Sequence, residues 1–319
     1  MTKPVNLTAK FLGSMVGSAL GDAIGEMAFR LPDEAGLRAW IARLDPASDP
    51  SACLVYTDDT AMALGLAHSL VQMGRVGEQH LGDTFRDNYR REPWRGYASG
   101  PPTLFRLVER HGLSYPEAAR SLFGGQGSYG NGAAMRIAPL GLAFHDAPDL
   151  YEEARRSAIV THAHPIGIDG AAVLACAVAQ AVDLDPAQPF PTAQFAAELV
   201  HFARTSELRA KVEQVRSLLA ENTSPATAAR MLGQSVAAHQ SVPFALYAFL
   251  CHPNSFEDCL FSAILNGGDC DTLGAMACAV SGAYLGIDAI PTAWRARLEG
   301  GDEIEKLALA LADRKGKNT

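Results

Sequence analysis

The chain has 319 residues, with 27 Lys and Arg against 35 Asp and Glu, a formal net charge of −8. That balance opposes general binding to nucleic-acid backbone, which depends on Lys and Arg neutralising phosphates. Hydrophobic residues at 48% and charged residues at 19% exclude disorder as the main state, and a chain of this length needs no disulfide staples.

Helical periodicity dominates. In chain order, helices are predicted over 8–29, 59–73, 78–90, 102–111, 115–121, 150–160, 168–182, 192–204, 207–220, 225–232, 235–250, 256–266, 271–285 and 303–313. Ser114 with Glu117 and Ser255 with Asp258 form caps before apolar runs. Pro93, Pro101, Pro102, Pro165, Pro186, Pro189 and Pro191 are expected between the helices, and no repeat or low-complexity linker divides the chain. The expected architecture is all-α, about a dozen helices in one domain over 1–312, with a polar tail over 313–319.

The six cysteines, Cys53, Cys176, Cys251, Cys259, Cys270 and Cys278, form no C-x-x-C pair. They are expected to be reduced, buried thiols of a cytoplasmic protein. The longest apolar run, 171–182, falls short of the roughly 18 residues a membrane span needs, so it reads as a core helix. The stretch 11–20 is interrupted by Ser and Gly, which opposes a signal peptide.

Four segments carry small residues and carboxylates that a plain bundle does not need. In GSALGDAIGEMAF, 17–29, glycines recur every four residues, and so do Asp22 and Glu26. The glycine stripe fits close helix packing; two like charges on one face favour a cation or proton between them. In YTDDTAMALGLAHSL, 56–70, Thr57, Asp58 and Asp59 open a helix, where a plain N-cap is the simpler role. In GGQGSYGNGAAMRIAPLG, 124–141, glycines free the backbone to cradle phosphate oxygens, and Tyr129 is placed to stack on a base. A long surface turn is the alternative, and no Walker lysine follows. In LNGGDCDTLGAMACAVSGAYLG, 265–286, Asp269, Asp271 and Thr272 mirror the second segment.

The mirrored clusters inform most together. Converging carboxylates and hydroxyls without His or Cys select Mg²⁺, Mn²⁺ or Ca²⁺, and six such donors suit two cations about 4 Å apart.

On these residues the chain resembles the ADP-ribosylglycohydrolases, in particular the branch acting on serine- and poly-ADP-ribose. YTDDTAMA, GSYGNGAAMR and GGDCDT carry the resemblance, with THAH at 161–164 and SVPFALYAFL at 241–250 in the same order over about 8–312. The resemblance implies an all-α orthogonal bundle with a two-metal cleft. It implies that Thr57, Asp58, Asp59, Asp269, Asp271 and Thr272 hold two Mg²⁺, with Mn²⁺ as the substitute. Ser99, Gly100, Phe123, Gly127, Ser128, Tyr129, Gly130, Asn131 and His162 match ligand-side positions, although Ala98 replaces a glycine in RGYASG. Arg136 fits either a phosphate contact or support of the loop.

One departure stands out. The place of the family's catalytic Glu is Phe29, three residues after Glu26 on the same helical face. Glu26 is therefore the expected catalytic residue, with Glu34, on a flap after Pro32, in reserve. The implied activity is Mg²⁺-dependent release of ADP-ribose by attack at the anomeric carbon of the distal ribose. O-linked acceptors are favoured: serine-type, O-acetyl-ADP-ribose or poly-ADP-ribose. The alternatives are an arginine-linked hydrolase, a non-catalytic ADP-ribose-binding protein, or a different two-metal hydrolase. The expected partner is an ADP-ribosylated protein or small molecule, with no membrane or nucleic acid, and a monomer is the default.

Overall fold

The computed structural model describes residues 6–31, 33–45, 48–49 and 51–316. Position 32 and the tail beyond 316, which figure in the sequence expectations, lie outside the described residues. Among them are 17 α-helices and no sheet beyond two isolated bridges. The all-α expectation holds.

Two helices form the axis. α1 (Leu7–Ala28) runs antiparallel to α15 (Cys270–Leu285), with Gly13, Gly17, Gly21 and Gly25 facing Gly282, Cys278, Gly274 and Cys270. A methyl at Gly17 would meet the Cys278 carbonyl oxygen at 2.7 Å, and one at Gly21 would overlap that of Gly274. The four-residue glycine stripe is thus a close-packing seam, and it brings the two helices' backbones into contact. α9 (Pro165–Asp183) and α13 (Ala238–Cys251) pack on α15, while α3 (Asp58–Met73) and α17 (Gly301–Gly316) pack on the side of α1. α9 is long and apolar enough to cross a membrane by length alone, but 78% of it is buried inside the protein, as suits a central core helix.

Three elements go beyond the sequence expectation: α2 (Glu34–Ile41), α7 (Ala138–Ala143) and α16 (Thr292–Arg295). They are eight, six and four residues long, too short for a helical period to stand out. α17 also continues through Gly316, so the first part of the expected polar tail is helical. The cysteine expectation needs one correction. Cys53 is exposed and Cys251 is half-buried, because Cys53 lies in an extended segment rather than a helix.

Candidate functional site

Both carboxylate clusters sit at helix N-termini, where the helix dipole favours negative charge. Thr57 caps α3, its hydroxyl accepting from the Asp59 amide at 3.3 Å, and Asp58 and Asp59 form the first turn. Asp269 precedes α15, and Asp271 and Thr272 open it. Gly268, at φ 81°, makes the turn before Asp269, whose amide donates to the Gln234 carbonyl at 2.9 Å.

Asp22 reaches across from α1 and braces α3. Its fully buried carboxylate accepts from the Thr57 amide at 3.0 Å, the Thr57 hydroxyl at 2.8 Å, and the amide and hydroxyl of Thr60 at 3.1 and 2.5 Å. It therefore supports the cluster from behind.

The clusters are close enough to repel. Burial pushes the Asp58 carboxyl up to about 7, with the charges of Asp22 and Asp269 adding to it. Asp271 is likewise pushed to about 7 by burial and then by Asp269. Asp22 rises to about 6 through burial, against its hydrogen bonds, and Asp59 and Asp269 also rise through burial. Asp59 Oδ2 is buried without a hydrogen-bond partner. An orphaned carboxylate oxygen among raised carboxylates, in an all-oxygen donor set, fits a hard divalent cation. As placed, no three Asp, Glu, His or Cys side chains among the described residues stand ready to hold a metal ion. Holding one therefore requires carboxylates to turn toward it.

The glycine-rich loop lies beside the second cluster. The Asn131 side-chain amide donates to Asp269 Oδ2 at 2.6 Å, and the Asn131 backbone amide donates to the Val236 carbonyl at 2.8 Å. Residues 234–238 therefore clamp both the loop and the turn at Gly268, a role that nothing in their sequence announces. Gly127, at φ 71°, packs where a side chain would meet the 163–164 backbone. The Gly130 amide donates to Ser128 Oγ at 3.1 Å. The amides of Ser128 and Tyr129 have no partner within the described residues. Phe123, at a kink in α6 (Tyr115–Gly125), and Tyr129 are both exposed, and Tyr129 stands edge-on to His164.

His162 is buried beneath the loop, its Nε2 within 2.9 Å of where a methyl on Gly132 would lie. Burial pushes its imidazole down to about 3, so it stays neutral. Arg136 is fully buried and donates to the Gly132 and Ser157 carbonyls at 3.0 and 3.1 Å. It buttresses the loop from behind.

A cleft of about 610 Å³ brings Glu26, Thr57, Asp58 and Asp271 to one surface. α1 continues through Ala28, so Glu26 lies within its last turn, 3.8 Å from Arg30. Phe29 follows the helix and is exposed. Glu34 lies outside the lining and pairs with Arg38 at 2.8 Å. Ser99 and Gly100 begin α5 (Gly100–His111) away from this lining. The cleft also takes in Trp94, which sequence reasoning passed over, and Tyr56 and Gly96, which it placed in singled-out segments without giving them a role. The signal available for them was the exposed aromatic next to a glycine-rich segment.

The sequence profile of the ADP-ribosylglycohydrolase family matches residues 3–319. The chain is 33% identical to human ADP-ribosylhydrolase ARH3 (Homo sapiens), covering 95% of this chain and 93% of that protein. It is 33% identical to the zebrafish ADP-ribosylhydrolase ARH3 (Danio rerio), covering 97% and 92%. A solved structure described as an ADP-ribosylglycohydrolase-related protein complex superposes with a TM-score of 0.69 at 26% identity, over 96% of this chain and 97% of that one.

Proposed function

We propose, for a chain that belongs to the ADP-ribosylglycohydrolase family and is a hydrolase of ADP-ribose linkages, that its acceptors are O-linked and that turnover requires two Mg²⁺. Serine-type linkages, O-acetyl-ADP-ribose and poly-ADP-ribose fall in this class. The observation that carries the reading is the shared cleft: Glu26 opens onto the same surface as Thr57, Asp58 and Asp271. Arg30 lines that cleft beside Glu26. A cation there opposes a guanidinium acceptor and suits an uncharged hydroxyl leaving group.

Thr57, Asp58, Asp59, Asp269, Asp271 and Thr272 would hold the cations, which when bound supply Lewis-acid charge to ribose hydroxyls and to an attacking water. The free amides of Ser128 and Tyr129 bind the diphosphate, with Gly127 and Gly130 letting the backbone approach. Phe123 and Tyr129 offer ring faces to the adenine. His162 and Arg136 keep the loop in shape from below. Binding energy from the diphosphate end then positions the reacting end. As positive charge grows at the anomeric carbon, the Glu26 carboxylate takes a proton from the attacking water, or the same carboxyl group in its acid form gives one to the departing oxygen.

Chromatography of products tests the reading. Free ADP-ribose released from a serine-linked peptide with Mg²⁺, and suppressed by EDTA, supports it. Release that ignores EDTA, or that favours an arginine-linked peptide, contradicts it.

A further inference from the structure

We propose that the cleft takes its acceptor as an extended polypeptide segment, added as a strand along Cys53–Val55. The proposal deepens the hydrolase reading and rests on it for the identity of the cleft.

Leu54 is the anchor. Its amide donates to the Arg297 carbonyl at 2.8 Å, and its carbonyl accepts from the Glu299 amide at 2.9 Å, in a parallel bridge to Leu298. Both main-chain groups of Leu54 are thereby used on one edge, and its side chain is buried. In an extended chain the neighbouring residues present their N–H and C=O to the opposite edge. The N–H and C=O groups of Cys53 and Val55 have no partner among the described residues. Both residues line the cleft that contains Glu26, Asp58 and Asp271.

An open edge is normally blunted by charge or proline. The segment 51–57, SACLVYT, has neither. It is instead flanked by exposed apolar groups: Val55 is 54% exposed and Trp94, on the same cleft, 71%. Free donors and acceptors two residues apart, with apolar side chains alongside, are what strand addition uses. The occupant follows from where the segment leads. Tyr56 and Thr57 carry the chain straight into α3 at Asp58. A peptide lying along 53–55 therefore runs beside the carboxylates, where its modified side chain enters the reacting end.

The test compares ADP-ribosyl-serine amide with a serine-linked ADP-ribosyl heptapeptide and its backbone N-methylated versions. The peptide is expected to show a kcat/KM about tenfold higher, the factor that one or two net hydrogen bonds supply. Methylation at positions of one parity should remove that gain, and methylation at the other parity should keep it. Equal kcat/KM for the amide and the peptide overturns the proposal, and so does loss without parity. Cys53 supplies a second readout, being the exposed cysteine among the described residues. In the Glu26→Gln protein with Mg²⁺, the peptide should slow Cys53 alkylation several-fold and free ADP-ribose should not. Equal slowing by both overturns the strand, whatever the turnover. Protection of Cys53 with no cleavage of either substrate by the unaltered protein keeps the strand and removes the hydrolase reading.

Discussion

The Asn131 side-chain amide donates to Asp269 Oδ2 at 2.6 Å, across 138 positions of sequence. The bond joins the glycine-rich loop to the second carboxylate cluster, so the loop proposed to bind the diphosphate and the carboxylates proposed to hold cations share a component. Asn131→Ala should weaken ADP-ribose and Mg²⁺ binding together, each by about tenfold, for the loss of a hydrogen bond to a charged group. Titration calorimetry with each ligand measures both. Loss of one affinity with the other unchanged would show that the two parts are independent.

Gly21 and Gly274 meet backbone to backbone. Gly21→Ala forces α1 and α15 apart and should cost about 1–3 kcal/mol or more, the range for overpacking. The same shift separates Asp22 from Thr57 and so disturbs cation binding. Gly301→Ala is the control, since a methyl there meets the Arg295 carbonyl oxygen at an ordinary 3.8 Å; it should change stability by less than about 0.5 kcal/mol. Urea denaturation distinguishes them.

Asp59 carries the orphaned oxygen, with Asp271, Asp22, Asp58 and Asp269 all raising its pKa. Asp59→Asn removes a repelled buried charge at nearly constant shape. In EDTA the variant should be more stable than the parent, by about 1–2 kcal/mol, and Mg²⁺ should no longer raise its Tm. A variant less stable in EDTA would mean that Asp59 serves the fold rather than a ligand.

The pH dependence follows from the same groups. Asp22, Asp58 and Asp271 bind protons more tightly folded than unfolded, at about 6, 7 and 7 against an ordinary 3.8. Their contribution is complete below the unfolded value and is lost as pH rises through 6 to 7. His162 acts in the opposite sense. Its folded value of about 3 against 6.5 withdraws stability as pH falls below 6.5. Three carboxylates outweigh one imidazole, so stability in EDTA should fall between about pH 4 and 6.5. Saturating Mg²⁺ holds the carboxylates ionised and leaves the imidazole, so the slope should turn positive. Thermal melts across that range with and without Mg²⁺ check the reversal; equal slopes would count against cation binding at these residues.

Much of this was legible in the sequence. α3 and α15 were placed to within a residue or two, because each apolar run starts sharply after polar capping residues. The carboxylate clusters stood out because acidic pairs opening apolar helices conflict with a plain core. Partnerships between distant positions were not legible. The sequence leaves Asp22 open between supporting the carboxylate cluster from behind and touching a ligand, and it does not name the partners, Thr57 and Thr60, 35 and 38 positions away. His162 shows the same limit: the sequence leaves it open between a core residue at a helix end and a ligand contact, and does not indicate the glycine loop it is buried under. The open edge at Cys53–Val55 depends on a partner segment at 297–299, far along the chain.

The central claim is that Glu26 moves the proton in a Mg²⁺-dependent release of ADP-ribose. Mass spectrometry of a serine-linked ADP-ribosyl peptide, incubated with the protein or with Glu26→Gln, in Mg²⁺ or in EDTA, tests it most directly. The account predicts free ADP-ribose from the unaltered protein with Mg²⁺ alone, and a loss of about 10²-fold or more in the variant, the scale of general acid–base catalysis. Undiminished release by Glu26→Gln would contradict it and move the proton transfer to another carboxylate of the cleft.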